Sequence, residues 1–383
     1  MPAPGSPTAP WRNVRPRVSR PSGPYWSPTA QTSRRLVCFL LAIGVLTVAA
    51  APAQAEVKKA IWGPVTMPNG SSAFDRYRAL GVDVYQAQLS WADTAPKRPS
   101  RPADPTDPAY RWPRTLDTAV KQAGSRGIRV AVMPKEAPPW ANGGRSTAWA
   151  PREPQDYALF VRAASRRYPS VKRWMVWGEP SRAGNFEPMP KGSPAGPRRY
   201  ARLLDAAYGQ LKRQSAQNVV VGAMTYTWGA VRPRDWVRWM RLPNGRPPRL
   251  DEWGHNPFSY RYPKLSNPVL SGGRRDFSDL DNFIREIHSA YKPLNRRPRL
   301  WLSEYTIPSD RPDRVFNFYV SREGQAKWVT RGYEVSRNLK WVTGLGWWRL
   351  QDDDPSIPNG ITGGLITYAG RPKASFWAYR RAP

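Results

Sequence analysis

Two stretches, VKRWMVWGEPS (residues 171–181) and RLWLSEYTIPS (residues 299–309), carry an apolar, β-prone run that ends on a carboxylate, Glu179 in the first and Glu304 in the second. A charge withdrawn from water is costly unless it is paired or used. Two such acids brought together divide proton work between them when their surroundings keep one protonated and the other ionised. Little else in the sequence offers chemistry. His255 and His288 are the only histidines, and the single cysteine, Cys38, lies near the N-terminus. A His/Cys metal site, a disulfide framework and thiol chemistry are therefore not expected, and neither metal nor cofactor is called for.

The acids must be positioned by regular elements, and the hydrophobic period supplies them. Short apolar runs alternate with helical patterns eight times after residue 57. The expected strands are Lys59–Trp62, Val82–Leu89, Ile128–Met133, Arg173–Trp177, Asn218–Gly222, Leu250–Gly254, Arg299–Ser303 and Thr343–Trp348. Between them the period changes to i, i+3, i+4, i+7: Leu116, Ala119, Val120 and Ala123 fit it. So do Tyr157, Phe160, Val161 and Ala164; Tyr200, Leu203, Leu204 and Ala207; and Leu280, Phe283, Ile284 and Ile287. RGYEVSRNL and KASFWAYRR supply the last two helices. Alternation of this kind implies parallel pairing, and eight units close most simply into a single α/β domain, a (β/α)8 TIM barrel. A doubly wound open sheet is the alternative, but no strand is followed by a Gly-rich phosphate-binding turn.

The barrel is expected to occupy residues 56–383. Ahead of it, residues 1–35 are rich in Pro, Ser and Arg without an acidic residue, and read as a disordered leader. Residues 36–55 read as the hydrophobic region of a signal peptide with an A-x-A site at Ala53–Ala55, which predicts cleavage before Glu56. The apolar run of 16 residues, Leu36–Ala51, is shorter than the roughly 20 that a spanning helix needs. The expectation is a secreted product of 328 residues, extracellular or associated with the cell wall, with no stable membrane insertion and monomeric. Net charge is +32, of which +26 stays with that product, because six arginines and no acid fall in residues 1–55. Such a field favours anionic polymers or an acidic glycan. The basic residues are scattered and form no RNA-binding signature, so nucleic acid is not the expected partner.

Barrel enzymes carry their chemistry at the C-terminal ends of the strands. Glu179 closes the fourth predicted strand and Glu304 the seventh, so acids 125 residues apart face one bowl. Paired carboxylates of this kind are what glycoside hydrolysis requires: one protonates the departing oxygen, and the other attacks the anomeric carbon or activates water.

On these residues the chain resembles the clan A retaining glycoside hydrolases, in particular the family 39 and family 5 cellulase-like barrels. Those end strand four on W-N-E-P and strand seven on a short apolar run leading to the nucleophile, which VWGEPS and LWLSEYT match. AIWG is similar to strand one, VYQAQLSWADTAP with DPAYRWPRTLD to strand two and its loop, and VAVMPKEAPPWA to strand three. EWGHNPFSY is similar to strand six and GLGWWRLQDD to strand eight. The resemblance implies that Glu179 is the general acid/base, that Glu304 is the nucleophile, and that a β-linked oligo- or polysaccharide, possibly anionic, is hydrolysed with retention. Two departures stand out. Gly178 replaces the Asn that hydrogen-bonds the sugar 2-hydroxyl in the family, and Gln88 stands about where many relatives carry Arg. Losing a contact that tightens in the transition state costs on the order of 10²-fold in rate. The competing reading is therefore a catalytically weak or inactive carbohydrate-binding barrel.

Nineteen tryptophans supply flat faces on which sugars stack. Those at predicted strand ends or in the following loops are Trp62, Trp91, Trp140, Trp177, Trp228, Trp347 and Trp348. Adjacent strand residues point to opposite faces, so only one of Trp347 and Trp348 can face the bowl. His255 and Asn256, at the end of strand six, and Tyr226, after strand five, complete the expected substrate-binding set with Gly178. Tyr305 is a weaker candidate. Glu136 reads as a loop brace, His288 as helix surface or packing, and QDDDP (residues 351–355) as a solvated acidic turn.

Overall fold

The computed structural model describes residues 56–265, 269–314 and 316–383. The expected leader and signal segments lie outside the described residues. Eight parallel strands close into one barrel in sequence order. They are β1 (Lys58–Trp62), β2 (Val84–Ser90), β3 (Arg129–Lys135), β4 (Arg173–Met175), β5 (Val219–Tyr226), β6 (Glu252–Asn256), β7 (Arg299–Tyr305) and β8 (Val342–Trp348). One main helix follows each: α1 (Phe74–Ala79), α2 (Arg114–Gly124), α3 (Pro154–Arg167), α4 (Ala195–Gln214), α5 (Pro233–Trp239), α6 (Leu280–Tyr291), α7 (Arg322–Asn338) and α8 (Ala374–Arg381). The (β/α)8 expectation holds. The helical sets of four sit where the period placed them, with Tyr200, Leu203, Leu204 and Ala207 buried along α4. The short helices α1 and α5 escaped the period because each spans two turns or fewer.

Strand alternation divides the interior in two. Ala60, Trp62, Val84, Ala131, Met133, Met175, Val221, Met224 and Trp301 fill the barrel lumen, and a larger apolar layer lies between strands and helices. A polar clamp crosses the lumen just below the mouth. The Gln86 amide donates to the Ser303 carbonyl at 2.9 Å, the Trp62 indole donates to the same oxygen at 3.0 Å, and Trp301 donates to Gln86 Oε1 at 3.0 Å. Deeper, Arg173 pairs with Glu252 at 2.6 Å and lies 4.1 Å above the Trp301 ring. Trp301 fits because β8 offers Gly344, where a Cβ would stand 2.1 Å from the indole.

Three departures from the expected strands shape the mouth. The β4 ladder ends at Met175 instead of Trp177, since Trp177 (φ 66°) and Glu179 (φ 42°) adopt left-handed backbone. β5 runs on to Tyr226 through a bulge at Ala223 and Met224, both at positive φ. β7 gains one residue on β8 between Leu302 and Tyr305. That bulge breaks the alternation, so Ser303 and Glu304 both turn inward and Tyr305 turns out.

Candidate active site

Glu179 and Glu304 line one cavity of about 160 Å³ at the C-terminal end of the barrel. Their route there explains the strain. Non-glycine residues at left-handed φ cost on the order of 1–3 kcal/mol each and persist where the surroundings fix them. Here the segment after β4 carries two such residues, and packing holds it: the Tyr200 hydroxyl of α4 donates to the Val176 carbonyl at 2.6 Å, and the Tyr157 hydroxyl of α3 donates to the Pro134 carbonyl at 2.8 Å. Glu304 is re-aimed by the β7 bulge, whose Ser303 carbonyl the lumen clamp holds.

The two acids sit in different surroundings. Glu179 accepts a hydrogen bond from Asn256 Nδ2 at 2.9 Å and pairs with Arg182 at 3.3 Å. Asn256 is itself buried, and its Oδ1 has no partner among the described residues. Burial first, and the neighbouring Glu179 charge second, push the Glu304 carboxyl well above the usual carboxylate range, against the opposing pull of Lys135 and Arg182. Glu304 therefore keeps its proton to a higher pH than an isolated carboxyl does.

The rest of the wall is mixed. Lys135 bridges Glu136 at 2.9 Å and Gln88 at 3.4 Å, and Arg182 covers the Tyr226 ring at 5.4 Å. Asn185 adds an amide, while Phe258, Trp348 and Met133 add apolar surface. Beside Gly178, a Cβ would stand 3.0 Å from Cε of Met133 and 3.2 Å from its sulfur. The methionine tail thus occupies the space that a side chain at 178 would take. Among the described residues no three His, Cys, Asp or Glu side chains gather as a metal group.

Of the residues singled out in the sequence, Glu179, Glu304, Gly178, Gln88, Tyr226 and Trp348 share the cavity, and Asn256 touches it through Glu179. Trp62 is buried, with its edge in an adjoining groove that it shares with Trp348. Four others do not reach the cavity. Trp91 is 1% exposed and stacks on Phe160 behind the barrel, 5.5 Å between ring centres. Trp177, turned by its left-handed backbone, packs edge-on to Phe186 and donates to the Asn185 carbonyl at 2.7 Å. Trp347 faces the helix layer and donates to the Gly363 carbonyl at 3.0 Å, as alternation demands once Trp348 faces in. His255 alternates outward in the same way. It is fully buried, with Nε2 2.9 Å from the Arg275 carbonyl and Nδ1 2.9 Å from the Thr225 hydroxyl. Burial lowers its pKa to about 4. The neutral ring satisfies both contacts when Nε2 carries the proton and Nδ1 accepts from Thr225.

The remaining candidates are structural in their contacts. Tyr305 packs against Phe277 and Trp347, and the His288 Nε2 lies 3.1 Å from the Pro298 carbonyl. Trp140 donates to the Ala95 carbonyl, and the acidic turn is tied down by the Asp352–Lys373 pair and by arginines around Asp353. Sequence reasoning missed Arg182, Asn185, Lys135, Met133 and Phe258 as cavity residues. Arg182 and Asn185 follow Glu179 in a loop whose path no periodicity encodes.

No protein-family model and no curated relative matches this chain. Solved structures do match in fold. A family 39 glycoside hydrolase from the gut symbiont Bacteroides cellulosilyticus superposes with a TM-score of 0.62 at 16% identity, over 85% of this chain and 63% of that one. A family 5, subfamily 18 glycoside hydrolase from Streptomyces cattleya, in complex with Manβ1-4GlcNAc, gives 0.58 at 17% identity over 85% and 80%. A monomeric β-xylosidase from Caulobacter crescentus gives 0.56 at 16% identity over 86% and 68%. The barrel is thus the one found in these glycoside hydrolases, and this chain spans less than two thirds of the family 39 enzyme's length.

Proposed function

We propose that this protein is an exported retaining glycoside hydrolase that cleaves a β-linked glycan by double displacement. The observation that carries the reading is the meeting of Glu179, from the segment after β4, and Glu304, from β7, in one partly polar cavity whose burial raises the proton affinity of Glu304. Glu179 delivers the proton to the departing oxygen and later takes one from water. Glu304 attacks the anomeric carbon to give a glycosyl-enzyme, which water then hydrolyses. Retention by this route calls for carboxyl groups about 5–5.5 Å apart. In the unliganded protein the surroundings favour the proton on Glu304, the reverse of these roles. The part of the push on Glu304 that comes from the charge of Glu179 falls away once Glu179 holds the proton beside a glycosidic oxygen, and the part that comes from burial remains. Glu179→Gln and Glu304→Gln are each expected to lower turnover of aryl β-glycosides by at least about 10²-fold. Full activity in either variant overturns the assignment.

One observation favours a second reading, a barrel that binds glycans but hydrolyses them weakly: Met133 stands beside Gly178 where a hydrogen-bonding side chain would otherwise project. Glycan binding without hydrolysis, unchanged by Gly178→Asn, is the outcome that selects it.

A further inference from the structure

Beyond the cavity, the loops after β5, β6 and β7 continue its aromatic wall. Phe258, at the cavity, lies 5.8 Å from Phe316, which lies 6.0 Å from Tyr260, and Tyr260 lies 4.9 Å from Trp228 and 5.1 Å from Phe318. The rings emerge as they leave the site. Phe258 and Phe316 are buried, Trp228 and Phe318 are half-buried, and Tyr260 is 49% exposed. Arg274 lies over the Trp228 ring at 5.1 Å and is itself tied to Ser271. A run of rings that starts at a cavity and surfaces at an exposed tyrosine is a binding surface more often than an accident of packing.

The chemistry of the run selects its occupant. Rings with polar tips, Trp228 and Tyr260, match molecules that alternate C–H faces with hydroxyls. A single-stranded nucleic acid would also stack, but it needs a track of available cations along its phosphates. Here Arg261 is committed to Asp276 and Asp279, and Arg274 to Ser271 and the indole.

We infer that this aromatic shelf binds further pyranose units of the substrate, outward from the unit held between the two acids, so that the protein acts on oligo- or polysaccharide chains in preference to short glycosides. The inference rests on the glycosidase reading for its register but not for its binding chemistry. The test uses β-1,4-linked xylo-, gluco- and manno-oligosaccharides of two to six units, with the nitrophenyl monoglycosides of the same sugars. For the sugar that is cleaved, kcat/KM is expected to rise with chain length. Tyr260→Ala is expected to remove about tenfold of that gain, the effect of one lost stack, while hydrolysis of the nitrophenyl glycoside stays within about twofold and Tyr260→Phe keeps the gain. Equal losses on long and short substrates, or no dependence on length, overturn the shelf. Should no member be hydrolysed, the reading of the acids fails and the shelf is judged by calorimetric titration of the same chains. Affinity that grows with length and weakens in Tyr260→Ala upholds it. Absence of binding, or binding indifferent to Tyr260, overturns it.

Discussion

At the scale of single residues, the site sets proton affinity against stability. Glu304 is held above the ordinary carboxylate value of 4.5 by burial and by Glu179. Below that value the acid is protonated in folded and unfolded chains alike, and folding gains or loses nothing from it. As the pH rises, the unfolded chain releases the proton while the folded one keeps it, so stability falls. Glu304→Gln, which mimics the protonated acid, is therefore expected to melt at a higher temperature than the wild type at pH 7, with the advantage fading toward pH 4. A calorimetric pH series reads this directly, and an unchanged or lower melting temperature at pH 7 contradicts the raised proton affinity. Gly178 carries the second residue-scale prediction. Its backbone is not left-handed, and the obstacle to a side chain is the flexible end of Met133. Gly178→Asn is expected to fold, to displace the thioether, and to raise kcat/KM on aryl glycosides about tenfold or more by adding a donor that tightens in the transition state. No gain in the folded variant counts against a missing contact at position 178.

At the scale of elements, β5 and β6 are joined behind the site by His255. Its neutral ring bridges the Thr225 hydroxyl of β5 and the Arg275 carbonyl of the loop before α6. The pKa falls from 6.5 to about 4 on folding, so the contribution is complete above pH 6.5 and is lost as the pH drops through that window. The loss amounts to roughly 3 kcal/mol at full extent. Urea unfolding between pH 7 and pH 4 is expected to show this step in the wild type and not in His255→Gln. A parallel decline in both contradicts the buried neutral ring. The same elements show what a sequence discloses. The eight strands and six of the eight helices follow from the change of apolar period, which is local. The facing of Trp177, Trp347 and His255 does not. Trp177 leaves the strand on a left-handed residue, and Trp347 and His255 follow a phase that only the ladder sets. Glu304 points inward because of a bulge measured against β8, a property of two strands and not of one. Its neighbours Arg182 and Asn185 arrive through loop paths that no pattern marks.

At the scale of the whole molecule, the excess of Lys and Arg over Asp and Glu, a net +32, gives a field that long polyanions feel everywhere, while the cavity offers Lys135 and Arg182 already engaged with acids. Charge-driven association and catalysis should therefore separate with salt. Retention of the protein on a polyanionic matrix is expected to collapse between about 0.05 and 0.5 M NaCl, as screening shortens the Debye length, while hydrolysis of a neutral aryl glycoside changes by less than about twofold. A parallel fall in both would place the basic field in the reaction itself. Double displacement needs two distant acids working on one sugar ring, and covalent trapping reads that most directly. A panel of mechanism-based glycosidase inactivators, followed by peptide mapping, is expected to leave a single glycosyl adduct on Glu304 with activity lost in step. An adduct on a residue other than these two glutamates, or undiminished hydrolysis with none formed, would contradict it.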